Sequence, residues 1–456
     1  MTGKIIYIFL DMKSNIVYNL ENKLQVEGIL NMKVVGVITE YNPFHNGHKH
    51  HIEEAKKITG ADYVIAVMSG DFVQRGGPAV ISKHDRCMMA LNNGVDLVFE
   101  LPTCYATGSA QYFALGAISL LSQLNIVDYL CFGSEYGSIA HLEDLANLFN
   151  NPTEDFQSLL YSYIKNGMTY PAARAMATKH ILNESNNIKN SDMLSIISQP
   201  NNILGIEYIR ALLQEKSSIK PYAIKRQNAN YHDKELNTSN NLNNAISSAT
   251  AIRSILENAK GLFDLSIIQD SVPKNVYDYF TDNHNMTYPV TIENFSSIIK
   301  YKLMSESRDE LAQYVDLSSD LADRIKNISI ENYSIGQLSQ MIKTKNITLT
   351  RVNRALIHVL LNIKKDDFNK YLDDKIIYYA RLLGMNKNAS HLIRRIKDQD
   401  GLPVITKLSR AKDQLDGLGM QMLNQDIFAS HIYNQTIYEL YRTKLANEYK
   451  RGVCIL

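Results

Sequence analysis

The stretch Lys33-Val-Val-Gly-Val-Ile-Thr-Glu-Tyr-Asn-Pro-Phe-His-Asn-Gly-His48 decides the fold of this chain of 456 residues. Its first part, Val34–Ile38, is a short apolar run rich in β-branched residues, which predicts a buried strand. The Asn42-Pro43 pair predicts a turn, and helical spacing follows over Lys49–Thr59. A buried strand that leads through a turn into a helix is typical of an α/β fold with a parallel sheet.

The same alternation of strands and helices continues to about residue 140. It predicts further strands at Tyr63–Met68, Leu97–Leu101 and Tyr129–Phe132, and helices at Lys83–Asn92 and Ser109–Leu124. Because parallel sheets bind ligands outside the carboxyl ends of their strands, we expect the functional site at that edge of the sheet.

Helices predominate in the rest of the chain. The pattern predicts a helix at Tyr208–Leu213, a β-like segment at Tyr222–Lys225, a polar loop at Gln227–Asn244, and long amphipathic stretches such as Arg354–Ile363 and Gln435–Glu448. We therefore divide the chain into an α/β catalytic domain of residues 32–260 and a mostly helical domain of residues 261–456. Residues 1–31 have no clear period, so we expect a non-native or disordered leader before Met32, with an extra edge element as the alternative.

The composition excludes several classes of protein. Hydrophobic residues make up 45% and charged residues 21%, so neither a disordered nor a fibrous protein fits. The net charge of +1 excludes a uniformly basic nucleic-acid coat but permits a local basic face. The four cysteines form no C-x-x-C pair, which argues against a zinc knuckle and for the reducing cytoplasm. Since no run reaches the ~20 apolar residues that span a bilayer, we expect no membrane partner.

The sequence His45-Asn46-Gly47-His48 carries the chemistry of the first motif. A helix N-terminus attracts anions, and Gly47 lets a phosphate approach the backbone closely. His45 and His48 lie on one face of the first turn and can donate to phosphate oxygens, which gain negative charge in a pentacoordinate transition state. The alternatives are solvated loop histidines or a metal site. No further Cys, Asp or His stands at ligand spacing nearby, so we expect no metal site.

A basic segment lies in the second half of the chain. Residues 340–410 contain fifteen Lys or Arg against six Asp, giving +9, so the remaining chain carries −8. Phosphate-dominated binding of nucleic acid requires this density of positive charge. The candidate contacts to nucleic acid are Arg351 and Arg354, then Arg394 and Arg395, with Tyr378 and Tyr379 as rings on which bases could stack. The alternative is a solvated basic helix face.

Four motifs in order resemble those of the bacterial tRNA(Met) cytidine acetate ligase family, within the superfamily of nucleotidyltransferases with a HIGH motif. They are Gly36-Val-Ile-Thr-Glu-Tyr-Asn-Pro-Phe-His-Asn-Gly-His48, Met68-Ser-Gly-Asp-Phe-Val-Gln-Arg-Gly-Gly-Pro-Ala79, Phe132-Gly-Ser-Glu135 and Pro200-Asn-Asn-Ile-Leu-Gly-Ile-Glu-Tyr208. The resemblance covers the chain from Met32 to the C-terminus. It implies a Rossmann-like nucleotidyltransferase domain in which ATP activates acetate as acetyl-adenylate. The acetyl group then passes to N4 of the wobble cytidine of elongator tRNA(Met), giving N4-acetylcytidine.

The resemblance also implies the residues that bind ATP, with His45 and His48 as the catalytic pair. These residues are Ile38, Thr39, Glu40, Tyr41, Asn42, Pro43, Phe44, His45, Asn46, Gly47, His48, Lys49, His50, His51, Gly133, Asn201 and Arg226. The stretch Ile246-Ser-Ser-Ala-Thr-Ala-Ile-Arg253 resembles a second signature of the superfamily. It implies that Ser247, Ser248, Thr250 and Arg253 bind the leaving pyrophosphate, although an ordinary capped helix is the alternative. ATP would be a substrate, accompanied by Mg²⁺ as its counter-ion, with no tightly bound cofactor.

Several points stay open at the level of sequence. Asp71, Gln74, Arg75, Lys83 and Arg86 could recognise acetate, phosphate or tRNA, or could anchor loops. The chain departs from the family at Gly77, where an acidic residue is usual, and at His84, where an aromatic residue is usual. The competing functions are a metabolic nucleotidyltransferase that adenylylates a small phosphorylated cofactor precursor and a catalytically silent tRNA-binding module.

Overall fold

The computed structural model describes residues 32–184, 196–226 and 248–456. The strands in these ranges are β1 Val34–Thr39, β2 Tyr63–Ser69, β3 Phe72–Val73, β4 Gly77–Pro78, β5 Leu97–Leu101, β6 Tyr129–Ser134, β7 Lys220–Lys225, β8 Ala380–Met385, β9 Val404–Ile405 and β10 Cys454–Ile455. The predicted leader, residues 1–31, and the predicted loop at Gln227–Asn244 lie outside the described residues.

Helices surround these strands. Before residue 260 they are α1 Asn46–Thr59, α2 Lys83–Asn92, α3 Thr103–Ala106, α4 Ala110–Gln123, α5 Ile139–Asn150, α6 Glu154–Lys165, α7 Tyr170–Glu184, α8 Pro200–Gln214 and α9 Ala249–Asn258. After residue 260 they are α10 Leu262–Leu265, α11 Lys274–Asn283, α12 Ser296–Ser305, α13 Arg308–Leu311, α14 Ser319–Lys326, α15 Ile335–Ile342, α16 Leu349–Leu361, α17 Lys365–Asp373, α18 Ser390–Lys397 and α19 Gly417–Tyr441. No helix in the described ranges is long and apolar enough to cross a membrane.

Five parallel strands form the centre of the main sheet, in the order β5-β2-β1-β6-β7. The predicted α/β class with a parallel sheet is thus confirmed. The side chains of Val34, Val35 and Val37 are fully buried, as expected for a central strand that is covered on both faces. The chain leaves β1 for β2 on one side and later returns to β6 on the other. Such a reversal of strand order opens a ligand crevice at the carboxyl ends of β1 and β6.

The C-terminal region contributes to the same sheet. Strand β8 pairs antiparallel with β5, and β9 and β10 pair with β8. None of these strands is predicted from the sequence, because β9 and β10 have only two residues each and β8, with six residues, lies in a region whose pattern is mostly helical. The predicted helix over Gln435–Glu448 is wrong at its end, since α19 stops at Tyr441 and Arg442 adopts the left-handed conformation with φ 59°. The division at residue 260 stays a prediction, and the region after it is mostly helical but not wholly so.

A buried ionic cluster holds the end of the chain against the sheet. Lys83, whose side chain is 0% exposed, lies 2.8 Å from Glu100 Oε1 and 3.0 Å from Glu448 Oε2. Asp71 accepts the backbone N–H of Lys83 at 2.8 Å. The buried guanidinium of Arg86 donates to the carbonyl oxygens of residues 40, 69, 70 and 81. Asp71, Lys83 and Arg86, left open by the sequence, are therefore structural residues.

Candidate active site

A cavity of about 740 Å³ lies at the carboxyl ends of β1, β6 and β7. Its lining includes most of the residues predicted from the sequence, namely Ile38, Thr39, Glu40, Tyr41, Asn42, His45, Gly47, His48, His50, His51, Gly133, Asn201, Arg226, Ser248, Thr250, Arg253, Arg351 and Arg354. Four predicted ATP contacts are absent from the lining. Pro43 and Phe44 are buried in the turn, Asn46 donates to the carbonyl of Asp270, and Lys49 is exposed. Ser247 lies outside the described residues.

The residues that follow β1 form a turn that lines this cavity. Tyr41 adopts a left-handed conformation with φ 47°, which is uncommon for a non-glycine residue and is typical of strained functional turns. Its buried ring packs 4.8 Å from the ring of Phe44 and 4.9 Å from that of His48. These aromatic contacts fix the orientation of the His48 imidazole at the start of α1.

The two histidines cap the helix reciprocally. The N–H of Gly47 donates to Nδ1 of His45 at 3.1 Å, and the N–H of His45 donates to Nδ1 of His48 at 3.3 Å. The two rings stack with centroids 3.8 Å apart. In a neutral imidazole, one nitrogen accepts while the other carries the proton. Because Nδ1 accepts in both rings, Nε2 carries the proton in both, and each ring presents one N–H donor to a ligand.

Burial keeps these imidazoles neutral. Desolvation lowers the pKa of His45 to about 3, and the positive charges of Arg226 and Arg253 act in the same direction. Desolvation also lowers the pKa of His48 well below its ordinary value and that of His51 to about 4. His50 and His51, which the family resemblance also implies as ATP contacts, line the same cavity. Neutral donors bind phosphate without the cost of burying additional cations.

These pKa values predict a pH dependence. From pH 5 to pH 8 the histidines stay neutral, so we expect kcat/KM for ATP to show no histidine-dependent limb near pH 6.5. The measurement is the rate of ATP–pyrophosphate exchange at subsaturating ATP over this range. A loss of activity below pH 6.5 that disappears in His45→Gln would contradict the assignment of neutral imidazoles.

Two arginines face the histidines from other segments. The side chain of Arg226 lies over Gly133, where a Cβ atom would be 3.4 Å from Arg226 Cγ. Arg253 donates to the carbonyl oxygen of Asn42 at 2.6 Å and to Thr250 Oγ1 at 3.1 Å. Arg253 thereby joins the start of α9 to the turn after β1. Two cations and two N–H donors around one cavity form a site for a polyphosphate.

The third and fourth sequence motifs interlock through Asn201, an expected ATP contact, and through Ser134, Glu135 and Asn202, which were not among the expected site residues. Glu135 accepts from Asn201 Nδ2 at 2.6 Å and from the backbone N–H of Asn202 at 3.0 Å, so it caps the N-terminus of α8. The side-chain oxygen of Asn202 accepts in turn from Ser134 Oγ at 2.7 Å. The sequence offered two signals for this contact: a glutamate directly after a strand and a pair of asparagines at the start of a helix.

The cavity extends to the N-terminal turns of α16. Arg354 pairs with Asp316, with 2.7 Å between Nε and Oδ2, and its side chain is only 10% exposed. The backbone of Arg354 contacts Gly76, where a Cβ atom would lie 2.3 Å from the Arg354 nitrogen. This close approach, which only glycine permits, brings Gln74 and Arg75 into the cavity lining. Gly77 faces open space, so its departure from the family pattern leaves this packing unchanged.

The predicted tRNA contacts separate into two locations. Arg351 and Arg354 line the cavity. Arg394 and Arg395 lie on α18, where Arg395 donates to the carbonyl of Met32 at 3.3 Å, at the amino ends of the strands. Tyr378 and Tyr379 were wrong as stacking platforms because both are buried in the core, where the Tyr379 hydroxyl donates to Asp426.

Thr39 and Tyr41 line the cavity, and their side chains interact with each other. Nε2 of His51, another lining residue, is buried and has no hydrogen-bond partner among the described residues. Buried polar atoms are normally hydrogen-bonded, so a polar ligand in the cavity would be a fitting partner for this nitrogen. The described part of the chain holds no group of three or more His, Cys, Asp or Glu arranged to bind a metal ion.

Comparisons with known proteins agree with this geometry. The family model HIGH Nucleotidyl Transferase matches residues 32–448. The tRNA(Met) cytidine acetate ligase of Acetivibrio thermocellus is 37% identical over 426 residues, covering 93% of this chain and 100% of the relative. The enzyme of the same name from Halothermothrix orenii is 39% identical over 412 residues, covering 88% of this chain and 94% of the relative.

Solved structures match over the same span. The crystal structure of Thermotoga maritima TmcAL bound with alpha-thio ATP has a TM-score of 0.84 and 28% identity, and covers 93% of this chain and 100% of that chain. The apo form of the same protein has a TM-score of 0.86 and 29% identity, with the same coverage. This chain therefore belongs to the HIGH nucleotidyltransferases and, within them, to the tRNA(Met) cytidine acetate ligase family.

Proposed function

We propose that this chain is an ATP-dependent ligase that acetylates N4 of the wobble cytidine of elongator tRNA(Met) through acetyl-adenylate. One observation carries the proposal. Two neutral imidazole donors and two arginines converge on one cavity at the point where the strand order of the sheet reverses. The names of the relatives and the alpha-thio ATP bound to the Thermotoga protein support the same substrates.

In the first step, an acetate oxygen attacks the α-phosphorus of ATP. The new oxygen–phosphorus bond forms as the bond to the bridging oxygen breaks, and pyrophosphate leaves. The Nε2–H groups of His45 and His48 donate to the phosphoryl oxygens, where negative charge increases in the transition state. Ser248, Thr250 and Arg253 at the start of α9 receive the pyrophosphate, because a helix N-terminus and a guanidinium both bind anions.

Arg75 is our candidate for holding the acetate carboxylate. It lines the cavity, where its charge interacts with those of Glu40 and Arg253. Glu40 in turn accepts the backbone N–H of Gln74 at 2.9 Å, which fixes the loop that carries Arg75. A guanidinium matches a carboxylate in a bidentate pair, so Arg75 can present acetate next to the α-phosphate.

In the second step, N4 of cytidine attacks the acyl carbon of acetyl-adenylate. The carbon–nitrogen bond forms, the bond to the AMP oxygen breaks, and N4 loses a proton. We place the entry of a flipped wobble base at the end of the cavity beside α16, which Arg351 and Arg354 line. Arg351, whose side chain is 41% exposed beside Asp316, is placed to hold an adjacent phosphate of the anticodon loop.

Two finer points belong to the same proposal. Mg²⁺ would enter with the triphosphate as its counter-ion, since no cluster of protein ligands for it occurs among the described residues. The cation would add positive charge at the phosphate oxygens. We place the reaction in the cytoplasm, where tRNA is modified in bacteria, in keeping with the four unpaired cysteines.

Two measurements test the proposal. The first is acetate-dependent ATP–pyrophosphate exchange in the absence of RNA. The second is mass spectrometry of tRNA nucleosides after incubation with ATP and isotopically labelled acetate, where labelled N4-acetylcytidine is expected. ATP–pyrophosphate exchange that is independent of acetate but requires a small phosphorylated precursor would favour the metabolic nucleotidyltransferase. Retained tRNA binding without exchange under any condition would favour the silent tRNA-binding module.

Removal of one exposed charge tests the tRNA face. We expect Arg351→Ala to weaken tRNA binding severalfold and to reduce the salt dependence of log Kd by about one unit of slope, because one phosphate contact is lost. Acetate-dependent exchange is expected to stay at the wild-type rate. Equal affinity and equal salt slope in both proteins would remove Arg351 from the tRNA site. Arg354→Ala is a poorer test, since it would remove the 2.7 Å ion pair with Asp316, whose side chain is only 16% exposed.

The second basic location is tested with the same titrations. Arg394, 87% exposed on α18, remains a prediction as a tRNA contact. If Arg394→Ala also reduces the salt slope, the tRNA reaches the amino edge of the sheet. Lys57→Ala provides the control for removal of an exposed charge, since the side chain of Lys57 is 75% exposed.

A further inference from the structure

A cluster of two cysteines, a histidine and a glutamate lies outside the active site, where β10 joins the sheet. Cys454 in β10 pairs with Gly384 in β8. A Cβ atom on Gly384 would lie 2.4 Å from Cys87 Sγ and 3.2 Å from Cys454 Cβ. Because both cysteine side chains lie over this one glycine, their sulfur atoms can meet. We call His84, Cys87, Glu448 and Cys454 the thiol cluster.

His84 orders the cluster. Its Nδ1 lies 3.9 Å from Cys454 Sγ, and its Nε2 lies 3.4 Å from Glu448 Oε1. Burial opposes a charge on His84, yet its contacts with Cys454 and Glu448 raise its pKa, even though the nearby charge of Lys83 opposes protonation. The imidazolium can therefore face a thiolate on one side while a carboxylate holds it on the other. This is the arrangement in which reactive cysteines occur.

The pKa of Cys454 differs from that of the cysteines outside the thiol cluster. Contacts with Cys87 and His84 lower the pKa of Cys454 to about 5, and the charge of Arg451 acts in the same direction. Desolvation instead raises the pKa of Cys104 and raises that of Cys131 to about 12. Cys454 is half-buried, whereas the other three cysteines are buried. Cys454 is thus the thiol that solvent can reach as a thiolate.

We propose that Cys454 is a site of oxidation by peroxides and that Cys87 converts the oxidised sulfur into an intramolecular disulfide. The Cys454 thiolate attacks one peroxide oxygen, the oxygen–oxygen bond breaks, and the leaving hydroxide takes a proton to become water. The resulting sulfenic acid is attacked by the Cys87 sulfur, which loses its proton as a second water leaves. The two thiols lose two electrons and the peroxide gains them.

Cys454 is half-buried, so a small oxidant can reach it from solvent. A cavity of about 10 Å³ lies close by, lined by His84 and by Arg451, Gly452 and Val453, the three residues that precede Cys454. Cys87 is buried in α2, so it reacts after Cys454 rather than with the peroxide itself. The disulfide would join the C-terminal strand to the helix that carries Lys83 and Arg86.

Hydrogen peroxide at low molar excess tests this proposal on the full chain. The treated protein is alkylated under denaturing conditions and its intact mass is measured. We expect only two of the four cysteines to be alkylated, and the mass of the protein without the added groups to be lower by two hydrogen atoms. Peptide mapping is expected to join the peptides of Cys87 and Cys454. Cys454→Ser is expected to form no disulfide, and Cys87→Ser to stop at a sulfenic acid on Cys454 that dimedone traps.

Matched variants distinguish this assignment from general oxidation. Cys131→Ser, which removes a buried thiol in β6, is expected to form the disulfide as the wild type does. His84→Asn is expected to slow its formation about tenfold at pH 7, because the thiolate loses its cation. Four thiols that remain free after peroxide treatment, or a disulfide between another pair, would overturn the proposal.

Discussion

Replacement of His48 by alanine is expected to lower acetate-dependent ATP–pyrophosphate exchange by about 10²–10³-fold, the usual cost of losing one preorganised donor to transition-state charge. The donor is Nε2–H, since Nδ1 accepts the N–H of His45 at 3.3 Å. The affinity for tRNA is expected to stay near the wild-type value, because the proposed phosphate contact, Arg351, belongs to a different element, α16. The exchange rate and the tRNA Kd of the same preparation check the prediction.

A second substitution separates catalysis from helix capping. His48 occupies the N3 position of α1, where glutamine is a standard partner in a capping box. His48→Gln is therefore expected to keep the wild-type melting temperature but not the exchange rate, since its oxygen accepts the N–H of His45 while its NH2 group does not occupy the position of the imidazole Nε2–H. Full exchange activity in His48→Gln would show that His48 acts as a cap alone. Lys57→Ala, in the last turn of the same helix, is the control.

The second large effect is expected in stability. Lys83→Met leaves Glu100 and Glu448 buried with less positive charge to offset them, and breaking such a buried pair costs about 3–5 kcal/mol. Because Arg381 stays within 2.9 Å of Glu100, we expect the lower end of this range. Urea unfolding of the wild type and the variant measures the difference in free energy of unfolding.

Two further variants control that measurement. Lys57→Met removes a lysine whose side chain is 75% exposed, and its effect is expected within about 0.5 kcal/mol. Adding Glu448→Gln to Lys83→Met removes one of the uncompensated charges, so the double variant is expected to regain part of the loss. A Lys83→Met protein as stable as the wild type would show that the cluster contributes nothing to the fold.

Local patterns in the sequence predicted much of the fold and of the nucleotide end of the site. Strands β1, β2, β5 and β6 were predicted to within about two residues of the observed ends. Each is an apolar run between turn residues, so its environment on both faces is visible in the sequence. The histidine motif was found for a similar reason, since three residues of helix separate the two rings whatever surrounds them.

Features that depend on distant contacts were not predictable. Tyr378 and Tyr379 resemble exposed stacking residues in sequence, but the packing of α19 buries them. Glu448 has the sequence environment of a helix end, yet it pairs with a lysine 365 positions earlier in the chain. Arg354 carries a charge that a sequence count assigns to a basic surface, whereas Asp316 holds it in the cavity wall.

The sequence by itself determined that a strand, a turn and a helix present two imidazoles, since those contacts lie within sixteen residues of chain. Only the tertiary structure decided the charge of these rings, because burial among distant segments lowers the pKa of both. It likewise decided which arginines face the ATP cavity and which lie at the opposite edge of the sheet. The physical reason is that burial and ion pairing arise between segments hundreds of residues apart. A charged or polar residue that looks exposed from its sequence neighbours can therefore be buried and paired in the fold.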